Sequence, residues 1–321
     1  MQTTFKIPLK FLFRMIDSPQ PIVEHPFHKF RKAIASKEFL ITAEVSPPKG
    51  SDPTHMLTQT RSLKGRVHAV NITDSSRAVM SMSPVAASVL IQQQIGIETV
   101  CQLACRDRNR IALQGDLFGA AALGITNILA LTGDPVKAGD SPDARSVFDY
   151  ESVRLLQLIQ KLNQGIDANG KALPHQGTNF LAGAAVDPQS RSWSGLQRRF
   201  ERKINAGAQF FQSQLITDFD RLDKFVNQIA NQSDKPVLAG IFLIKSAKNA
   251  LFLNKYVPGV QIPEHIIDRL AKAKSPLQEG LAIAAEQIQT ARQICQGVHI
   301  MAIKAEHLIP EILDRAGVSV I

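Results

Sequence analysis

Eight short apolar runs, rich in β-branched residues, recur along the chain, and each but the last leads into a stretch of helical periodicity. The runs are FLITAEV from Phe39, VHAVNIT from Val67, ETVCQLA from Glu98 and TNILALT from Thr126. NFLAGAAV from Asn179, AQFFQSQL from Ala208, PVLAGIFL from Pro236 and GVHIMAI from Gly297 complete the set. Near-continuous apolar strands separated by helices imply a parallel sheet covered on both faces. Eight in succession favour closure into a (β/α)8 barrel, an α/β fold of one domain, over an open sheet. SWSGLQRRFERKINAG illustrates the intervening helices: Trp193, Leu196, Phe200 and Ile204 share one face, and Gly207 stands where a C-terminal cap belongs. The 246–295 stretch is longer than one helix requires, so the seventh unit is expected to carry an extra helix.

The 321 residues suit such a barrel, which commonly runs to about 250 residues or more. Residues 1–35 read as a poorly ordered extension and 36–321 as the barrel. The opening mixes Lys6, Lys10 and Arg14 with apolar residues, has too short an apolar core for a secretory signal, and contains Met15 as an alternative start. No run approaches the roughly 20 apolar residues of a membrane span, so a cytoplasmic protein is expected. Three cysteines, Cys101, Cys105 and Cys295, are too few for a disulfide framework, and neither they nor the eight histidines have metal-site spacing. His55, His68, His175 and His299 read as surface or strand-edge residues. The net charge of +9 suits anionic ligands, but scattered basic residues and 6% aromatics do not suggest nucleic acid.

Barrel enzymes build their sites at the carboxyl ends of the strands. Those ends carry Glu44, Thr73 and Asp74, Arg106 and Asp107, Asp134, Asp187, Gln214 and Lys245. Glu44 is an acid inside an apolar strand; burial without a local partner disfavours its charged form, which suits a proton donor. Pairing with a lysine at the barrel mouth is the plainer alternative. Asp134 follows a glycine that allows close backbone approach and precedes a stiffening proline; it serves a ligand or an Asx-turn. Arg199 and Lys203 share a helical face, as a phosphate clamp or a solvated flank. Gln214 reads as a buried amide in need of partners.

With these positions marked, the chain resembles the methylenetetrahydrofolate reductase family in its short bacterial form. The resemblance is carried by CRDRNRIALQGDLFGAAALGITNILALTGDP, GDSPDARSVFDYESVRLL, GAAVDP, ERKINAGAQFFQSQ and GIFLIKSAKNALFLNKYVPGVQIP, and it covers 39–317. It implies a barrel that holds FAD at its carboxyl rim. Hydride would pass by ping-pong from NADH or NADPH to flavin, then to methylenetetrahydrofolate, giving 5-methyltetrahydrofolate for methionine synthesis. On this resemblance Glu44 protonates N10, Asp134 contacts the pterin and tunes the flavin, and Gln214 reads the pterin's amide-like edge. Arg199, Arg202 and Lys203 would meet the FAD pyrophosphate. Thr73, Gln102, Thr132, Gly133, Phe148, Asp149 and Asp187 would join the cofactor site, with the 135–148 loop covering its ribityl or adenosine part.

Two departures stand out. Gln102 occupies a position where the family commonly has histidine, and GAAVDP lacks the aromatic of other branches. A glutamine can hydrogen-bond but cannot titrate. The resemblance leaves open a homo-oligomer or a redox partner protein as electron source. Two rival readings are a flavin-free pterin-dependent methyltransferase barrel and a non-catalytic folate-binding subunit of a larger reductase.

Overall fold

Strand β1 (Leu40–Val45) pairs in parallel with both β2 (Ala69–Ile72) and β8 (Gly297–Met301), which closes the sheet on itself. Between them run β3 (Thr99–Ala104), β4 (Asn127–Leu131), β5 (Leu181–Val186), β6 (Phe210–Leu215) and β7 (Val237–Phe242), all parallel and in chain order. The chain is thus a (β/α)8 barrel, described here by a computed structural model for residues 28–257 and 259–320. The choice between Met1 and Met15 lies outside the described residues.

Side chains alternate across each strand. Ile41, Ala43 and Val45 face outward to the helices, as do Val70, Ile72, Cys101 and Leu103, in one large apolar cluster. The inward set forms a separate cluster at the amino end of the barrel: Leu40, Ala69, Val100, Leu129, Leu181, Phe210 and Leu238. Gly183 makes room for its bulkiest member, since a Cβ there would lie 2.2 Å from the Phe210 ring.

Helix α1 (Lys29–Ala35) closes that end. Phe30 and Ala33 are buried in the inward cluster, and the Phe30 ring meets Phe210 edge-on at 5.2 Å. Buried Glu98 receives the Phe30 backbone N–H at 3.1 Å and the Asn127 amide at 2.8 Å. Residues 29–35, assigned to the extension on sequence grounds, are therefore a packed element of the barrel.

The outer helices start at polar caps written in the sequence. Asn109 accepts from the N–H groups of Ile111 and Ala112 at the start of α4 (Arg110–Ala122), and Ser192 accepts from Gly195 in α6 (Trp193–Asn205). Helices α2 (Thr54–Arg61), α3 (Pro84–Gln94), α5 (Ser152–Asn163), α7 (Phe219–Gln228) and α11 (Ile309–Ala316) complete the simple units. After α6, Gly207 adopts φ +100°, as a chain reversal there requires. The seventh unit departs from expectation: it carries three helices, α8 (Ala247–Tyr256), α9 (Glu264–Lys272) and α10 (Pro276–Ile294), where one extra was foreseen. Pro263 and Pro276 delimit the segments.

Candidate functional site

Because every strand runs the same way, the polar strand ends share one rim, and they fall into three groups.

The first lies inside the barrel mouth. Glu44, near the end of β1, is half-buried, and its Oε2 is 3.7 Å from Nε2 of His299 on β8. The histidine's Nδ1 lies 3.0 Å from the Thr42 hydroxyl, and Gln212 Nε2 donates to that hydroxyl at 3.3 Å. Gln212 and Asn71 then exchange two amide hydrogen bonds, at 2.6 and 3.1 Å. Thr42, Asn71, Gln212 and His299 are all buried, so a polar chain crosses the barrel from β2 through β6 and β1 to β8.

This corrects three expectations. Glu44's neighbour is a histidine, neither an empty apolar wall nor a lysine. His299 and His68 are buried, not superficial: His299 faces the lumen, and His68, just before β2, accepts from the Ile41 N–H at 3.0 Å. The buried amide of β6 is Gln212, while Gln214 is exposed. Gln212 points inward, whereas Gln214 follows a register shift between β6 and β7 that sets Leu215 opposite Gly240, and it lines the cleft toward α6. Its side chain makes no hydrogen bond among the described residues.

The second group is the cleft between β5, β6 and α6, lined by Ala185, Asp187, Arg199, Lys203 and Gln214 over a floor of Leu196 and Phe200. Lys203 Nζ donates to the Ala185 carbonyl at 2.6 Å, and burial pushes its pKa down. Arg199 is exposed and reaches Ser190 Oγ at 2.8 Å. Asp187 spends one oxygen on the Gln189 N–H. Arg202 lies outside this cleft, 3.5 Å from Glu151 on an open surface.

The third group is built from the loops after β2 and β4. Asp134 is exposed, and its Oδ2 accepts the Arg77 N–H at 2.8 Å; among the described residues it forms no Asx-turn. Ser75, Arg77 and Ala78 all have positive φ (45°, 56° and 56°), a run of sparsely populated conformations in non-glycine residues. Asp140 ties the loops further by binding Lys49 Nζ at 2.9 Å and the Met80 N–H at 3.0 Å. Gly139 lies so close to Ala78 that no side chain fits there. Gly133 has φ +94°, and a Cβ there would lie 2.9 Å from that of Arg106.

The remaining candidates divide. Gln102 and Thr73 are buried on inward-facing positions of the mouth, and their side chains have no hydrogen-bond partner among the described residues. Neither side chain's polar atoms are sealed from solvent, so both are open to a polar ligand in the mouth. Thr132 and Asp149 are engaged instead: Thr132 Oγ1 accepts the Ser152 N–H at the start of α5, at 3.2 Å. Asp149 takes three bonds from Arg110, each 2.9 Å, and these hold its carboxyl at a pKa of about 2. Phe148, at φ 42°, is exposed beside it. Sequence reading also missed the buried Asp74–Arg108 pair (2.6 Å), which anchors the ends of β2 and β3. Burial pushes Asp74 upward against the pull of Arg108. Polar residues two apart in an otherwise apolar strand, such as Thr42 with Glu44, are the signal that marks the lumen.

The model of the family described as methylenetetrahydrofolate reductase matches residues 29–317. Methylenetetrahydrofolate reductase 1 of Schizosaccharomyces pombe is 25% identical over 79% of this chain. The probable NADPH-dependent enzyme of Caenorhabditis elegans is 26% identical over 74%, and an NADH-dependent enzyme of Zea mays 26% over 72%. The matched part spans between 35% and 41% of the length of these relatives. Among solved structures, a Clostridium thermocellum protein that binds two copies of 5-methyl-5,6,7,8-tetrahydrofolic acid shares the fold at a TM-score of 0.66. It is 13% identical, with 90% of this chain and 98% of the other covered.

Proposed function

This chain belongs to the methylenetetrahydrofolate reductase family, and we propose that it reduces 5,10-methylenetetrahydrofolate to 5-methyltetrahydrofolate with Glu44 as proton donor. The observation that carries the reading is the placement of Glu44. It is a half-buried carboxyl facing the lumen at a strand end, beside His299 and a polar chain that runs to the opposite wall. The substrate's imidazolidine ring opens when N10 is protonated and its bond to the bridging carbon breaks, leaving an iminium at N5 that hydride can reach. Glu44 supplies that proton at the barrel mouth.

Two other groups suit a pterin. Gln214's amide, unpartnered among the described residues, can pair with the pterin's amide-like edge, and Asp134 has one oxygen fixed by the Arg77 N–H and the other without a hydrogen-bond partner among those residues. For FAD, the fit is supported by the unpartnered Gln102 and Thr73 side chains, the close backbone at Gly133, and the cationic cleft of Arg199 and Lys203. When bound, FAD supplies the hydride that it has taken from NADH or NADPH. Arg199, Lys203 and, from the rim, Arg202 would hold its pyrophosphate, with Asp187 beside them and Thr132, Phe148 and Asp149 shaping the loop that covers it. The donor and the folate then use one mouth in turn, in a ping-pong scheme, and the product feeds methionine synthesis in the cytoplasm. Among the described residues no helix is long and apolar enough to cross a membrane.

The test is the purified protein with methylenetetrahydrofolate and NADH or NADPH under anaerobic conditions. The reading predicts a yellow protein and formation of 5-methyltetrahydrofolate. A colourless protein that binds the folate without reducing it would favour a flavin-free methyltransferase barrel or a binding subunit.

A further inference from the structure

Barrel closure brings β8 against β1, and with it a histidine to the side of Glu44. The Thr42 hydroxyl has one proton and two acceptors in range: His299 Nδ1 at 3.0 Å and the Val298 carbonyl at 3.5 Å. Either partner can donate at the His299 contact; in the Nε2–H tautomer the Thr42 proton goes to Nδ1. The hydroxyl oxygen is then free to accept from Gln212 Nε2, whose orientation is fixed by the reciprocal amide pair with Asn71. An imidazole that accepts at Nδ1 carries its proton on Nε2. That nitrogen is the one 3.7 Å from Glu44 Oε2, beyond hydrogen-bond reach in the free protein and close enough for a small rotation to bring it in.

We propose that His299 is the positioning residue of Glu44: held in its Nε2–H tautomer by Thr42, Gln212 and Asn71, it presents a donor to the carboxylate that forms when Glu44 gives up its proton. The proposal rests on Glu44 being the acid. In that transfer the Glu44 O–H bond breaks and the N10–H bond forms. The charge left on the carboxylate is met by the imidazole N–H, and His299 neither gains nor loses a proton. A fixed donor aimed at developing charge in a site sheltered from water is worth more than the same donor in solvent. The polar chain behind His299 has the second role of holding the ring still. Four buried polar side chains at one level of the lumen cost stability unless they are paired, and each has at least one polar partner here.

Two measurements test this. In the ligand-free protein labelled with 15N-histidine, the ring of His299 should show the Nε2–H tautomer, and Thr42→Val should release it to a mixture. In the enzyme, His299→Leu should slow folate reduction by ~10- to 100-fold while leaving oxidation of the nicotinamide donor within about twofold and folate affinity within about threefold. His299→Gln, whose amide Nε2 can take the place of the imidazole Nε2, should restore most of the rate. An Nδ1–H tautomer in the wild type, or equal rates in the leucine and glutamine variants, would overturn the proposal. Folate turnover that His299→Leu keeps at full rate overturns the role of His299 alone. A wild type without any turnover overturns the assignment of Glu44 as acid.

Discussion

His299 on the eighth strand lies 3.7 Å from Glu44 on the first. Barrel closure is the cause, because β8 pairs with β1 in a register that sets His299 opposite Thr42, two residues before Glu44. Glu44, its neighbour and the wall of the mouth are thus one consequence of strand order.

The same lumen is sealed at its other end by helix α1. Phe30 is fully buried against Phe210, so Phe30→Ala should cost about 3–5 kcal/mol. Urea unfolding should show it as a lower midpoint with an unchanged slope. A loss below about 1 kcal/mol would mean that α1 is an appendage and not a part of the core.

Charge in the cleft between β5, β6 and α6 is expected to hold a pyrophosphate. Arg199→Ala and Lys203→Met should each weaken flavin binding by ~10-fold or more, read by recovery of flavin fluorescence on dilution. Raising the salt concentration should weaken binding in the wild type more than in either variant. Unchanged flavin affinity in both variants would place the pyrophosphate elsewhere.

Asp149 predicts an acid-dependent loop. Arg110 hydrogen bonds depress its carboxyl from the ordinary 3.8 to about 2 in the folded protein. A depressed acid contributes stability that is present above its unfolded value and lost as pH falls through the folded one. The stability difference between wild type and Asp149→Asn should therefore be constant near neutrality and shrink between about pH 4 and pH 2. A difference that persists unchanged to pH 2 would contradict the Arg110 pairing.

Cys101 and Cys105 are buried, and burial pushes both thiols up to about 12. Thiolate is the reactive form. Iodoacetamide at pH 8 should leave them unmodified in the folded protein and label them in denaturant, as read by mass spectrometry. Rapid labelling of Cys101 in the native state would show that the outer face of β3 opens.

Strands were legible because parallel strands covered on both faces are almost wholly apolar, and the eight runs each contain the observed strand. That same uniformity hid which face of each strand looks into the lumen. Gln212 and Gln214 are both amides in FFQSQL, and the register shift after Gln212 makes the first a buried partner of Asn71 and leaves the second exposed. Thr42 and His299 are 257 residues apart, so their contact, and the placement of Glu44 that follows, had no local signature. Likewise the resemblance put Thr132 and Asp149 in the cofactor site, but the bonds that their oxygens accept from Ser152 and Arg110 had no signature in the sequence.

Glu44→Gln examines the central claim most directly. Stopped-flow absorbance of the anaerobic variant should show bleaching of the flavin by NADH or NADPH at close to the wild-type rate. Recovery of the colour on adding methylenetetrahydrofolate should be slower by at least ~10²-fold, because the amide keeps the shape of the carboxyl and cannot give N10 its proton. Recovery at the wild-type rate would contradict the account.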